Sequence, residues 1–290
     1  QMALALLSKY PIDDMETWAR TYFSEIKNNQ AMDIEYPPVY LSEKDALRLI
    51  RVKPVKDKKE LDIEFPLPID LYQYFDSKPM KILGSLMGHE GEGSLLSLLK
   101  QKGLATGMYG GGSPDTPDYG SAGVNIQLTE KGVSNYQEVL GYFFSYVAML
   151  KKEGFKNYIF NEQQTIAKLE EVYSDKGEGT WKAVSFANNL AFYPMDIAHR
   201  VEYHFGNPDP EAYLEVLSYI RPNNMLCVLS DSGQETPLEE FWYKSNYNYE
   251  EIEGSAFDKL LAPTINTELH LPEPNPYLPE NANLLSESNN

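Results

Sequence analysis

The chain opens on an apolar run, Ala3 to Ser8, whose continuity predicts a buried strand, and continues with apolar residues at helical spacing from Ile12 to Ile26. Asp13 and Asp14 fall in the first turn of that helix, where carboxylates complement the dipole, while Trp18, Tyr22, Phe23 and Ile26 recur at helical spacing. So small a strand–helix unit cannot bury its own apolar faces, which predicts docking onto another element. Asn28 to Tyr40, with Pro37 and Pro38, has the composition of a linker. Beyond it the pattern predicts two strands, Leu47–Pro54 and Leu61–Phe65, joined by the charged turn Lys56–Glu60. A helix over Met80–Met87 is interrupted at Gly88–Ser94, resumes over Leu95–Gln101 and stops at Gly103. Strands Leu104–Gly110 and Ala122–Leu128 follow, connected by the Gly- and Pro-containing stretch Gly111–Gly120. The best-patterned helix starts after Thr129, a good N-cap, carries Val133, Tyr136, Val139, Leu140, Phe143, Val147 and Leu150 on one face, and ends at Gly154. Helices are predicted at Tyr158–Tyr173, Thr180–Ala191 and Pro210–Ile220, a strand at Met225–Ser230, and an extended, proline-rich tail at Leu271–Pro279. Strand pairs followed by runs of helices indicate an α+β fold, an antiparallel sheet backed by helices, rather than a doubly wound parallel sheet.

Composition narrows the function classes. Lys and Arg number 25 against 43 Asp and Glu, a net charge of −18 that argues against nucleic acid or an anionic membrane surface as the main partner. A cationic or neutral ligand fits better. No apolar run reaches the roughly 18 residues a membrane span needs, and the short apolar start lacks the basic and small-residue flanks of a signal peptide. With only Cys227, no internal disulfide can form, and the compartment stays open, because a protein without disulfides can work on either side of a membrane. The abrupt apolar start suggests a piece of a longer protein.

Few residue patterns carry chemistry. His199-Arg-Val-Glu202-Tyr-His204 is one residue longer than the inverted zinc motif H-x-x-E-H, and on a helix its two imidazoles diverge by about 140°. The segment is therefore expected to be a helix end with histidines near the negative pole of the dipole. His89-Glu90 lies in a glycine-rich stretch with no second histidine or carboxylate cluster nearby, and a tight turn between two helices accounts for it. No Gly-x-Ser-x-Gly elbow, phosphate loop or dinucleotide fingerprint is present. Tyr109-Gly110-Gly111-Gly112 differs from these: consecutive glycines leave a strand edge without side chains, onto which an extended peptide could add. The alternative is a flexible hairpin loop.

The ordered series Leu83-Gly84-Ser85-Leu86-Met87-Gly88-His89-Glu90-Gly91-Glu92-Gly93-Ser94-Leu95-Leu96, then Lys102-Gly103-Leu104, resembles the second domain of insulinase/pitrilysin-type zinc metallopeptidases. Phe65-Pro66-Leu67-Pro68, Leu128-Thr129-Glu130-Lys131-Gly132, Tyr193-Pro194, Arg221-Pro222-Asn223-Asn224, Glu240-Phe241-Trp242-Tyr243 and Leu271-Pro272-Glu273-Pro274-Asn275-Pro276 agree in the same order, so the resemblance covers nearly the whole chain. It implies one domain of the LuxS/mitochondrial-processing-peptidase-like fold, with 1–30 the end of a preceding catalytic-type domain, 31–262 the non-catalytic domain, and 263–290 an extended connection. The resemblance also implies that zinc sits in another domain of the parent enzyme, on an H-x-x-E-H absent here, and that this portion holds none.

In such enzymes the second domain shapes the substrate chamber and anchors peptide at an exosite. By resemblance that role falls on Tyr109, Gly110, Gly111 and Gly112 and on Leu128, Thr129 and Gly132, with peptides, cationic ones in view of the charge, and the remaining parent domains as partners. The following loop, with Pro114, Asp115, Pro117 and Asp118, departs from the family pattern. Two other functions stay open: an inactive scaffold module of the same family, and an autonomous metal enzyme built on His199, Glu202 and His204.

Overall fold

The computed structural model describes residues 2–32, 48–175, 177–251 and 255–279. In chain order its elements are α1 (Ile12–Phe23), β1 (Arg48–Lys53), β2 (Glu60–Leu67), α2 (Pro79–Met87), α3 (Leu95–Gln101), β3 (Ala105–Thr116), β4 (Tyr119–Leu128), α4 (Glu130–Ser134), α5 (Tyr136–Glu153), α6 (Asn157–Tyr173), α7 (Gly179–Asn189), α8 (Pro210–Tyr219), β5 (Leu226–Ser230), β6 (Leu238–Glu239), β7 (Asn246–Glu251) and α9 (Ser255–Leu261). They fall into two compact units, one of 1–37, 164–204 and 279–290, the other of 38–163 and 205–278.

The larger unit is a seven-stranded sheet in the order β3-β4-β2-β5-β1-β7-β6. Every neighbouring pair is antiparallel except β1 with β5. The α+β expectation therefore holds. The strict alternation of β2, Glu60-Leu-Asp-Ile-Glu-Phe-Pro-Leu67, sends Leu61, Ile63, Phe65 and Leu67 into the core and Asp62, Glu64 and Pro66 to the other face. β4 alternates in phase with it, burying Ala122, Val124, Ile126 and Leu128. The Phe65 ring stacks on Phe143 of α5 at 5.8 Å and meets Phe144 edge-on at 6.2 Å, pairs that each add about 0.5–1.5 kcal/mol beyond area burial. The Tyr146 hydroxyl, wholly buried, donates to the Leu86 carbonyl at 2.9 Å and ties α5 to α2.

Several expectations need correction. The two strands flanking the charged turn are present but do not pair with each other: β5 lies between them, parallel to β1 and antiparallel to β2. Its sequence, Leu226-Cys-Val-Leu-Ser230, is the apolar run suited to a central strand. Gly111–Gly120 is not a connecting loop, because β3 runs on to Thr116 and β4 starts at Tyr119. Proline at 114 is tolerated because β3 is an edge strand, where a missing N–H costs no ladder bond. The helix after Thr129 is two helices. Asn135, at φ −123° and ψ 32°, breaks it, and its side-chain amide donates to the Lys131 carbonyl at 2.7 Å, a local bond that competes with helix continuation.

The tail after α9 is strapped to the helical layer. Ser145 Oγ donates to the Thr264 carbonyl at 2.9 Å and accepts from the Asn266 amide at 2.8 Å, and the Tyr158 hydroxyl donates to the Pro272 carbonyl at 2.6 Å.

The smaller unit contains α1 and α7. α1 ends three residues earlier than expected and buries none of its residues, leaving Tyr22 74% exposed. Ala3–Ser8 forms no strand, since among the described residues it has no ladder partner for its backbone. His199–Tyr203 lies in consecutive turns rather than at a helix end. Leu47 and most of the expected linker lie outside the described residues. Among the described residues no helix is long and apolar enough to cross a membrane.

Candidate functional site

β3 is held by α2, and the glycine run is what allows the two to approach. A Cβ on Gly110 would lie 2.8 Å from Met87 Cβ and 3.1 Å from the Gly88 amide nitrogen. One on Gly112 would meet Met80 Sδ at 2.7 Å and collide with the Ser121 carbonyl. Gly111 lies between these two positions and points the other way, and nothing stands within 4 Å of where its Cβ would be. The run therefore serves two ends. Gly110 and Gly112 admit the helix, and Gly111 leaves the outer face bare.

Across that outer face the register places Tyr109 beside Asn125, Gly111 beside Gly123 and Ser113 beside Ser121. One strand further in, Asn125 sits beside Asp62 and Gly123 beside Glu64. The result is an open trough of about 540 Å³, lined by Tyr109 to Gly112, Ser121 to Asn125, Asp62, Ile63, Glu64 and Asp115. Three carboxylates and no cationic side chain line it. Tyr109, 68% exposed, stands as a pillar at one side. Among the described residues, Met108 to Ser113 make no backbone hydrogen bonds beyond their ladder with β4, so the outer edge of β3 offers unpaired amides and carbonyls.

The carboxylates differ in how they are held. Asp62 and Glu60 both accept from the Asn125 side-chain amide, and Glu60 also pairs with Lys58. Burial works to raise the Glu60 pKa, yet the bonds from Lys58 and Asn125 outweigh it and hold the group below the usual glutamate value. Asp115 accepts from Ser121 Oγ at 3.3 Å. Glu64 has no ion pair or side-chain hydrogen bond among the described residues, and its Cγ lies 3.6 Å from where a Gly123 Cβ would be.

The other sequence-derived site residues lie elsewhere. Leu128 is buried in the core, opposite Ala105. Thr129 caps α4, its hydroxyl accepting from the Gly132 amide at 3.0 Å and donating to the Gly103 carbonyl at 2.8 Å. Gly132 packs so closely on Leu104 that a Cβ would collide with the Leu104 carbonyl. None of the three lines the trough. Glu64, Asp62 and Gly123 carried no site signal of their own in the sequence, although the alternation of β2 puts the first two, and that of β4 the third, on the outer face.

His89 forms the turn between α2 and α3, its ring folded over Gly91, and burial pushes its pKa down. Burial also raises the Cys227 thiol far above its ordinary value, which leaves it unreactive. Among the described residues no three His, Cys, Asp or Glu side chains converge so as to hold a metal, and His199, Glu202 and His204 are no exception.

Residues 1–167 match the family model described as "Peptidase M16 inactive domain", and residues 172–290 match "Middle or third domain of peptidase_M16". Insulin-degrading enzyme of Homo sapiens is 30% identical over 286 residues, which are 98% of this chain and 28% of that protein. A-factor-processing enzyme of Saccharomyces cerevisiae is 29% identical over 281 residues, 97% of this chain and 27% of that protein. Among solved structures, the crystal structure of pitrilysin superposes with a TM-score of 0.88 at 21% identity, covering 94% of this chain and 29% of that one. The chain thus spans less than a third of the length of these relatives. By its fold and by the family model covering residues 1–167, the chain belongs to the M16 peptidase family and carries that family's inactive domain.

Proposed function

We propose that this chain is a non-catalytic, substrate-anchoring part of a zinc metalloendopeptidase that degrades peptides, and that it captures peptide by β-strand addition to the outer edge of β3. The observation that carries the reading is the free edge at Met108 to Ser113, beside a trough whose floor is bare at Gly111 and Gly123. An extended peptide would satisfy the unpaired backbone groups of that edge, and its outward side chains would lie over the trough. Tyr109 to Gly112 make the contact in this reading. Leu128, Thr129 and Gly132 hold the end of β4 and the start of the helical layer. Two relatives carry names that specify polypeptide substrates, insulin and a-factor, which fits a peptide-handling role. The zinc of the complete enzyme belongs to residues outside this chain, and hydrolysis would take place away from the β3 edge.

The test is a fluorescence-anisotropy titration of the 290-residue chain with extended peptides N-methylated at alternate residues. Strand addition uses every second peptide N–H, so methylation in one phase should abolish binding and in the other leave it intact. Equal loss in both phases, or binding of no peptide from a broad set, refutes the reading and leaves a scaffold module.

A further inference from the structure

Three strands of the sheet line up a lane that carries no side chains until it reaches a carboxylate. Moving inward from the β3 edge along one register row, the positions are Gly111, then Gly123, then Glu64. The rows on either side are furnished, by Tyr109 and Asn125 on one and by Ser113 and Ser121 on the other. The lane is thus walled, floored by backbone, and closed by Glu64, whose side chain leans over Gly123. Gly123 is not free to vary, since a Cβ there would lie 2.7 Å from the Ile63 carbonyl oxygen. Asp62, Glu60 and Asp115 already accept hydrogen bonds from Asn125, Lys58 or Ser121. Glu64 alone of the four has no such partner among the described residues.

We infer that Glu64 is a specificity-determining residue, which selects peptides carrying a lysine or arginine at the position captured opposite Gly111. The inference rests on strand addition at β3. A strand added there would lie three ladder spacings, about 14 Å, from β2. An extended lysine or arginine side chain reaches about 6–7 Å and a glutamate about 4–5 Å, and a charge-assisted hydrogen bond spans the remaining ~3 Å. A shorter side chain stops over the glycines. A long apolar one fills the lane and ends against a carboxylate, and a glutamate meets like charge. With its stem lying over glycine backbone, the basic side chain keeps its charged end at the open side of the sheet, where desolvation is slight.

The experiment compares three peptides that differ at one residue, lysine, norleucine or glutamate, in their anisotropy-measured affinity for the 290-residue chain, for Glu64→Gln and for Glu64→Lys. The lysine peptide should bind the wild type about twofold to fivefold more tightly than the norleucine peptide, as expected for one exposed ion pair. Glu64→Gln should erase that preference, and Glu64→Lys should transfer it to the glutamate peptide. Moving the lysine by one residue, to the helix-covered face, should remove the effect in the wild type. If lysine and norleucine bind the wild type alike, or the preference survives Glu64→Gln, the assignment to Glu64 is overturned while phase-dependent N-methylation still stands. Binding of none of the peptides would overturn strand addition itself and this inference with it.

Discussion

Adjacent glycines of β3 make opposite predictions, which separates packing from function within one tripeptide. Valine at Gly110 would place its Cβ 2.8 Å from Met87 Cβ, 3.0 Å from the Met87 carbonyl carbon and 3.1 Å from the Gly88 nitrogen. Two of these are backbone atoms at the end of α2 and cannot swing aside. The helix must lift off the strand, an overpacking cost of about 1–3 kcal/mol, and more if Leu86 and Met87 lose their burial. Valine at Gly111 meets nothing within 4 Å and sits at a position without positive φ, so its backbone is unstrained. Replacing glycine in a strand by a β-branched residue there should leave stability unchanged or raise it by up to about 1 kcal/mol. The Gly111→Val isopropyl group would nevertheless stand in the lane that captured side chains cross. Urea denaturation should therefore rank Gly110→Val well below wild type and Gly111→Val at or above it. Peptide anisotropy on folded protein should show Gly111→Val weakened at least tenfold. Equal destabilisation by both variants, or undiminished capture by Gly111→Val, would refute this division of labour.

Other substitutions test the supporting structure. Thr129→Ala should lose about 0.5–2 kcal/mol of stability through the missing cap, measured by urea denaturation, while the folded protein still binds peptide as tightly as wild type. Tyr146→Phe removes one of the donors to the Leu86 carbonyl, which keeps the His89 amide at 3.2 Å, and should cost about 0.5–1.5 kcal/mol in the same assay. Glu60 is held below its ordinary pKa of 4.5, so its interactions stabilise the fold above that pH and are lost as pH falls through the lowered folded value. The stability gap between wild type and Glu60→Gln, no more than about 1 kcal/mol at pH 7, should shrink as pH falls below the ordinary glutamate value of 4.5 in a denaturation series, and a gap that stays constant on acidification would contradict the assignment.

The elements best read from sequence were those whose own residues dictate them. α3, opening on Ser94 as cap and closing at Gly103 with φ +68°, came out within its expected limits. α5 did too at its C-terminal end, where Gly154 has φ +65°. Pairing was less legible, because register depends on residues far away in the chain. The charged turn between β1 and β2 suggested a hairpin, and only the docking of β5, some 170 residues later, separates them. β7, Asn246-Tyr-Asn-Tyr-Glu-Glu251, carries almost no apolar signal and becomes a strand by pairing with β1. Glycine and proline misled at Gly111–Gly120: both residue types signal a turn, yet an edge strand packed on a helix needs the first and tolerates the second. The glycine edge itself was visible in the sequence. That Glu64 shares its row was not, since the two are brought together by the register of β4 between them.

Amide hydrogen exchange of the 290-residue chain with and without a bound extended peptide tests strand addition most directly. Protection should appear at alternate amides between Met108 and Ser113, those facing away from β4, with the ladder amides of β4 and β2 little changed. Peptide binding that leaves Met108 to Ser113 exchanging as in the free protein, with new protection elsewhere, would contradict it.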